Sequence, residues 1–141
     1  MLPDVAHVVQ VSVAPVFLVS GIGGMLAVLV TRLGRIVDRS RLLEQLEQST
    51  DDRKQQLTLE LGTLTRRSRL IERAIILATT AGFFVCLVII ALFVDYLVGL
   101  DISVPVATFF LIAMLSLIAS FGHFLYEVLL ATAPLRQEAR R

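Results

Sequence analysis

Three blocks of this chain, residues 5–31, 74–94 and 103–133, are predominantly apolar, and Glu127 is the one acidic or basic side chain (Asp, Glu, Lys or Arg) among them. A helix rising 1.5 Å per residue crosses hydrocarbon in about 20 residues, so each block is long enough for one span. A soluble domain would be roughly 45–50% apolar. This chain is 56% hydrophobic, with the excess gathered in those blocks, and its mean hydropathy is +0.80. The expected fold is an all-α membrane protein with three transmembrane helices.

The basic residues fix an expected orientation. Arg32, Arg35, Arg39, Arg41, Arg53, Lys54, Arg66, Arg67, Arg69 and Arg73 all lie between the first and second blocks. Arg136, Arg140 and Arg141 follow the third, and the rest of the chain has no Lys or Arg. Basic segments stay cytosolic because they resist translocation. The N-terminus and a short turn at 95–102 are therefore expected outside, and 32–73 and the tail at 134–141 inside. Asp4, Asp95 and Asp101 then face outward, where acidic residues weigh little in the rule. The first block lacks a basic n-region and is longer than a typical signal-peptide core, so it reads as a retained span. The single cysteine, Cys86, lies in the second block, so no disulfide framework or Cys-rich metal site forms within one chain.

Residues 32–73 read as a cytosolic helical, coiled-coil-like hairpin. Arg, Glu, Gln and Leu dominate, all good helix formers. Leu33, Ile36, Ser40 and Leu43 recur at three-four spacing, as do Leu57, Leu61, Leu64, Ser68, Ile71 and Ile75, the pattern of a/d seams. Ser49, Thr50, Asp51 and Asp52 suit a turn and a helix start. Neither seam stops at the membrane boundary, so each arm is expected to continue a transmembrane helix. Gly62 is the weak point, costing up to about 1 kcal/mol against Ala. Asp38 sits inside the arginine cluster and tempers its repulsion.

Four groups of residues are candidates for function. Small residues recur at four-residue spacing: Ser20 with Gly24, Gly23 with Ala27 and Thr31, and Ala74, Ala78, Gly82 and Cys86. Such stripes let helix backbones approach in lipid, within one protomer or between copies, and a homo-oligomer is expected. Ser116, Ser120, His123 and Glu127 share one helical face, a candidate polar conduit. Near the inner interface Glu127 would lie level with Arg73 or Arg32, where an ion pair is the better reading. Arg32, Arg35, Arg39, Arg41, Arg66, Arg67, Arg69 and Arg73 form a basic collar, which sets topology and can attract anionic lipid. Pro15 can kink the first span or free a carbonyl, and Gln10 and Ser12 are tolerated polar groups near the outer leaflet. Pro134 is expected to end the third helix.

Nothing in the sequence points to a reaction. The run Gly21-Ile22-Gly23-Gly24 lies inside an apolar helix and lacks the strand–turn–helix of a nucleotide fingerprint. There is no metal-ligand cluster and no nucleophile–base pair. An enzyme, a cofactor and a nucleic-acid partner are not expected.

The run Ala14-Pro15-Val16-Phe17-Leu18, then Gly21-Ile22-Gly23, then Arg32-Leu33 and Arg35-Ile36-Val37-Asp38-Arg39, resembles a bacterial family of three-span membrane proteins, domain of unknown function 2721. That resemblance runs from span one through span three. It implies a bacterial cytoplasmic membrane and brings no activity with it. Two other groups are similar in layout alone. Proton-channel subunits of the ExbB/TolQ/MotA group also place a cytosolic helical region after an N-outside span, but their Pro-Leu-Leu-Gly-Leu-Leu-Gly-Thr type signature is missing here. The YidC-type insertases combine a coiled-coil hairpin with later spans, but need a basic residue within the bilayer, and none precedes Arg32.

Two functional readings follow. The first is a non-enzymatic homo-oligomer, channel-like or scaffolding. The second is an interaction or biogenesis module whose cytosolic hairpin docks a protein partner.

Overall fold

A computed structural model describes residues 5–49, 54–99 and 102–138. Three helices account for nearly all of them: α1 (Val5–Ser49), α2 (Lys54–Val98) and α3 (Ser103–Glu138). No strand occurs among the described residues. Of the turn sequence at 49–52, only Ser49 is described, as the last residue of α1; Arg53, Asp101, Arg140 and Arg141 also lie outside the described residues.

Each helix is long and apolar enough to cross a membrane. Windows within Val5–Leu46, Leu57–Val98 and Ser103–Thr132 reach mean hydropathies of 2.3, 2.8 and 2.3. Only 11%, 22% and 11% of those windows is buried within the protein. Phe17, Phe83 and Ile118 are 73%, 61% and 68% exposed. Water would penalise so much uncovered apolar surface, whereas hydrocarbon would not. The chain is a multi-pass membrane protein.

Local chemistry explains the helix limits. Gly99 follows α2 with φ +68°, a left-handed conformation that costs glycine little, and its amide donates to the Asp95 carbonyl at 2.8 Å. Pro105 falls in the first turn of α3, where its missing N–H would have had no partner. Pro15 lies inside α1, which continues unbroken through it. The carbonyl it leaves unpaired is that of Val11, and both residues line a cleft of about 410 Å³. The third helix passes Pro134 rather than stopping there and runs to Glu138. One proline removes a single ladder bond, and a helix can continue beyond it.

The chain divides into two compact units. The first comprises Met1–Ala27 and Ile76–Ala119. Its core is Ile22, Ala78, Ala81, Val85 and Ala113, with Leu18, Val19, Leu26, Phe84, Ile89 and Leu117 against it. The three alanines are fully buried. Where the buried side chains are this small, helix backbones can come close, and packing takes the place of a hydrophobic drive that lipid does not supply. A Cβ added at Gly82 would lie 3.7 Å from the Ile22 Cγ2, ordinary contact.

The second unit comprises Val28–Ile75 and Ser120–Arg141. Leu29, Ile36 and Leu43 are buried on α1, Leu64, Ile71 and Ala74 on α2, and Ser120 and Glu127 on α3. Most of these positions recur every seven residues, a period that keeps one side of a helix turned toward its neighbours. At the rim Arg39 donates to Glu60 at 2.9 Å, with the two side chains 53% and 43% exposed. Such a surface pair contributes little, on the order of 0–1 kcal/mol.

Candidate functional site: a buried carboxylate held by two arginines

The third helix buries two polar side chains in the second unit, and one bond sets their level. The Ser120 hydroxyl donates to the Ala74 carbonyl at 2.6 Å. In an antiparallel pair, two turns further along α3 correspond to two turns back along α2. Seven residues beyond Ser120 is Glu127, and seven before Ala74 is Arg67, so these two meet. Arg67 donates to the Glu127 Oε1 through Nε at 3.1 Å and Nη2 at 2.9 Å. The other oxygen, Oε2, accepts from the Arg32 Nη1 at 2.9 Å. One carboxylate thus joins all three helices.

Exposure separates the partners. The Glu127 side chain is 1% exposed, whereas Arg67 is 25% and Arg32 39% exposed. Arg32 also places its guanidinium 5.1 Å from the centre of the Phe124 ring. That cation–π contact gives the guanidinium an aromatic wall. Burying a carboxylate without partners would be very costly. Here both oxygens are occupied by charge-assisted bonds. No buried side-chain nitrogen or oxygen among the described residues lacks a partner.

The remaining candidates of the α3 stripe differ in setting: Ser116 and His123 are half-buried, in contrast to the fully buried Ser120 and Glu127. Ser120 and Glu127 spend their hydrogen-bonding capacity inside the protomer. From span length alone Glu127 is expected level with Arg73 or Arg32. The structure pairs it with Arg32 and with Arg67, because the Ser120–Ala74 register brings α2 opposite α3 six residues before Arg73.

The basic collar is divided by its partners. Arg32 and Arg67 hold Glu127, Arg39 meets Glu60, and Arg66 donates to the Tyr126 hydroxyl at 3.0 Å. Arg35, Arg41, Arg69 and Arg73 are exposed. The small residues divide as well. Ala74 and Ala78 are wholly buried and Gly82 is half-buried, while Ser20, Gly23 and Gly24 are exposed on α1. A Cβ at Gly23 or Gly24 would meet nothing within 4 Å. Sequence periodicity does not single out Arg67; its spacing from Ala74 carries the signal only once the Ser120 bond is known.

The family model for a protein of unknown function (DUF2721) matches residues 12–137, and the chain belongs to that family. No curated protein and no solved structure matches it.

Proposed function

We propose that this member of the family is a non-enzymatic, homo-oligomeric scaffold of a bacterial cytoplasmic membrane. Its N-terminus is outside, and 32–73 forms a coiled-coil-like hairpin in the cytosol. The observation that carries the reading is the outward face of α1. Ser20, Gly23 and Gly24 are exposed, and a Cβ added at either glycine would meet nothing within 4 Å in the protomer. Small residues left unused by a protomer's own packing suit the close approach of a second copy in lipid. The engagement of Ser120 and Glu127 within the protomer favours scaffolding over conduction, since a carboxylate bound by two guanidiniums is a poor relay. The seven-residue recurrence of Leu29, Ile36 and Leu43 supports the hairpin, and the arginines at its roots support anionic lipid at the cytosolic surface.

Subunit counting by single-molecule photobleaching of labelled protein in liposomes tests this. The wild type should give more than one step per complex, and Gly23→Leu/Gly24→Leu should shift the distribution to single steps. A wild type that is monomeric, or a variant with an unchanged distribution, overturns it. Proton and cation flux in the same liposomes should equal that of empty vesicles.

A further inference from the structure

The arginines without an acidic partner do not simply coat the surface. Arg66, Arg69 and Arg73 line one face of α2, together with Gly62 and Leu70, and Tyr126 of α3 closes the other side. The cleft they enclose is about 480 Å³. Thr65 also borders it, but its hydroxyl donates to the Leu61 carbonyl at 2.9 Å. No carboxylate lines the cleft, and no carboxylate among the described residues pairs with any of the three arginines. The nearest acid in sequence on α2, Glu72, lines a different groove, which Arg69 also borders.

We propose that this cleft is a binding site for the phosphate headgroup of an anionic phospholipid. Three guanidiniums present forked N–H donors suited to phosphate oxygens. Arg66 already donates to the Tyr126 oxygen and lies 5.9 Å from its ring centre, which orients both groups. With that oxygen accepting, the phenol O–H remains to donate to the anion. Gly62 provides room, since a Cβ there would meet nothing within 4 Å. The source of the phosphate follows from the apolar border. Leu70 lines the cleft, and on the bilayer side of Tyr126, in the proposed orientation, α3 exposes Leu125 and Phe121, 60% and 52% exposed. A soluble phosphate has no use for that surface, whereas acyl chains descending from a headgroup would cover it. The proposal rests on the reading that residues 32–73 begin at the cytosolic membrane surface.

The test is lipid retention by the detergent-solubilised protein, followed by native mass spectrometry. The probes are phosphatidylglycerol and phosphatidylcholine with identical acyl chains, with glycerol phosphate as the soluble competitor. The wild type should retain phosphatidylglycerol at least about tenfold more tightly than phosphatidylcholine, since each arginine near anionic lipid contributes roughly a fivefold factor. Arg66→Gln/Arg69→Gln/Arg73→Gln should abolish the preference. So should Gly62→Phe, which fills the cleft, keeps every charge and covers the case in which the triple variant does not fold. Arg53→Gln/Lys54→Gln removes charge outside the collar and should leave the preference intact. The proposal is overturned if the Gly62→Phe protein keeps the preference. It is equally overturned if the Arg53/Lys54 variant loses it, or if glycerol phosphate displaces the lipid at equal concentration. The same spectra report the subunit number, so failure here and failure of the scaffold reading are separately visible.

Discussion

Replacing Glu127 with Gln keeps the shape of the side chain and removes its charge, leaving two guanidiniums around a neutral amide. Breaking a buried ion pair by deleting one partner costs about 3–5 kcal/mol. Part of that is recovered here, because Arg32 is 39% and Arg67 25% exposed and both can turn toward water. The expected loss is therefore about 2–3 kcal/mol, well above the roughly 0.6 kcal/mol average of interhelical hydrogen bonds within membranes. The two arginines should not share it equally. Arg67 gives two donors to Oε1 and is the more buried; Arg32 gives one to Oε2. A double-mutant cycle should find coupling of about 2 kcal/mol for Arg67–Glu127 and about 1 kcal/mol or less for Arg32–Glu127. The assay is reversible unfolding in mixed micelles of dodecylmaltoside and dodecyl sulfate, followed by far-ultraviolet circular dichroism. Loss of less than about 0.5 kcal/mol in Glu127→Gln, or stronger coupling to Arg32 than to Arg67, would refute the reasoning, since surface pairs alone give that much.

Other perturbations follow from the same contacts. Ser120→Ala removes the 2.6 Å bond to the Ala74 carbonyl and should cost about 0.5–1.5 kcal/mol in the same unfolding assay, without changing the subunit number. Ala81→Leu forces extra methylenes into a fully buried position and should destabilise the fold by about 1–3 kcal/mol, whereas Gly24→Leu, whose Cβ would meet nothing within 4 Å, should not destabilise the protomer. Gln55→Cys, in a Cys86→Ser background, should react with a membrane-impermeant maleimide in inverted vesicles and not in right-side-out vesicles; the opposite pattern reverses the proposed orientation.

The membrane character and the all-helical fold were legible because both depend on composition along the chain. Uninterrupted apolar length identifies a span without knowledge of its neighbours, and the matching of α1, α2 and α3 to the three blocks reflects that. Pairwise detail was less accessible. The sequence places Ser120 and Glu127 on one face of a helix, but what they touch depends on how far α3 slides along α2. That shift is set by the Ser120–Ala74 bond and by the close packing that small residues allow, neither of which helical periodicity encodes. The difference between Arg67 and Arg73 as the partner of Glu127 is under two turns of helix, less than the uncertainty in a span boundary drawn at the first charge. The separation of buried Ala74 and Ala78 from exposed Ser20, Gly23 and Gly24 was hidden for a related reason. A small-residue stripe looks the same whether its neighbour is in the same protomer or another.

The most direct test of the scaffold is a disulfide scan along α1 in native membranes. Single cysteines at Ser20, Gly23 and Gly24 in the Cys86→Ser background are oxidised, with a cysteine at the exposed Ile118 of α3 as control. The proposed interface predicts disulfide-linked dimers at the α1 positions and none above background at Ile118. Crosslinking that is absent along α1, or no greater there than at Ile118, would contradict it.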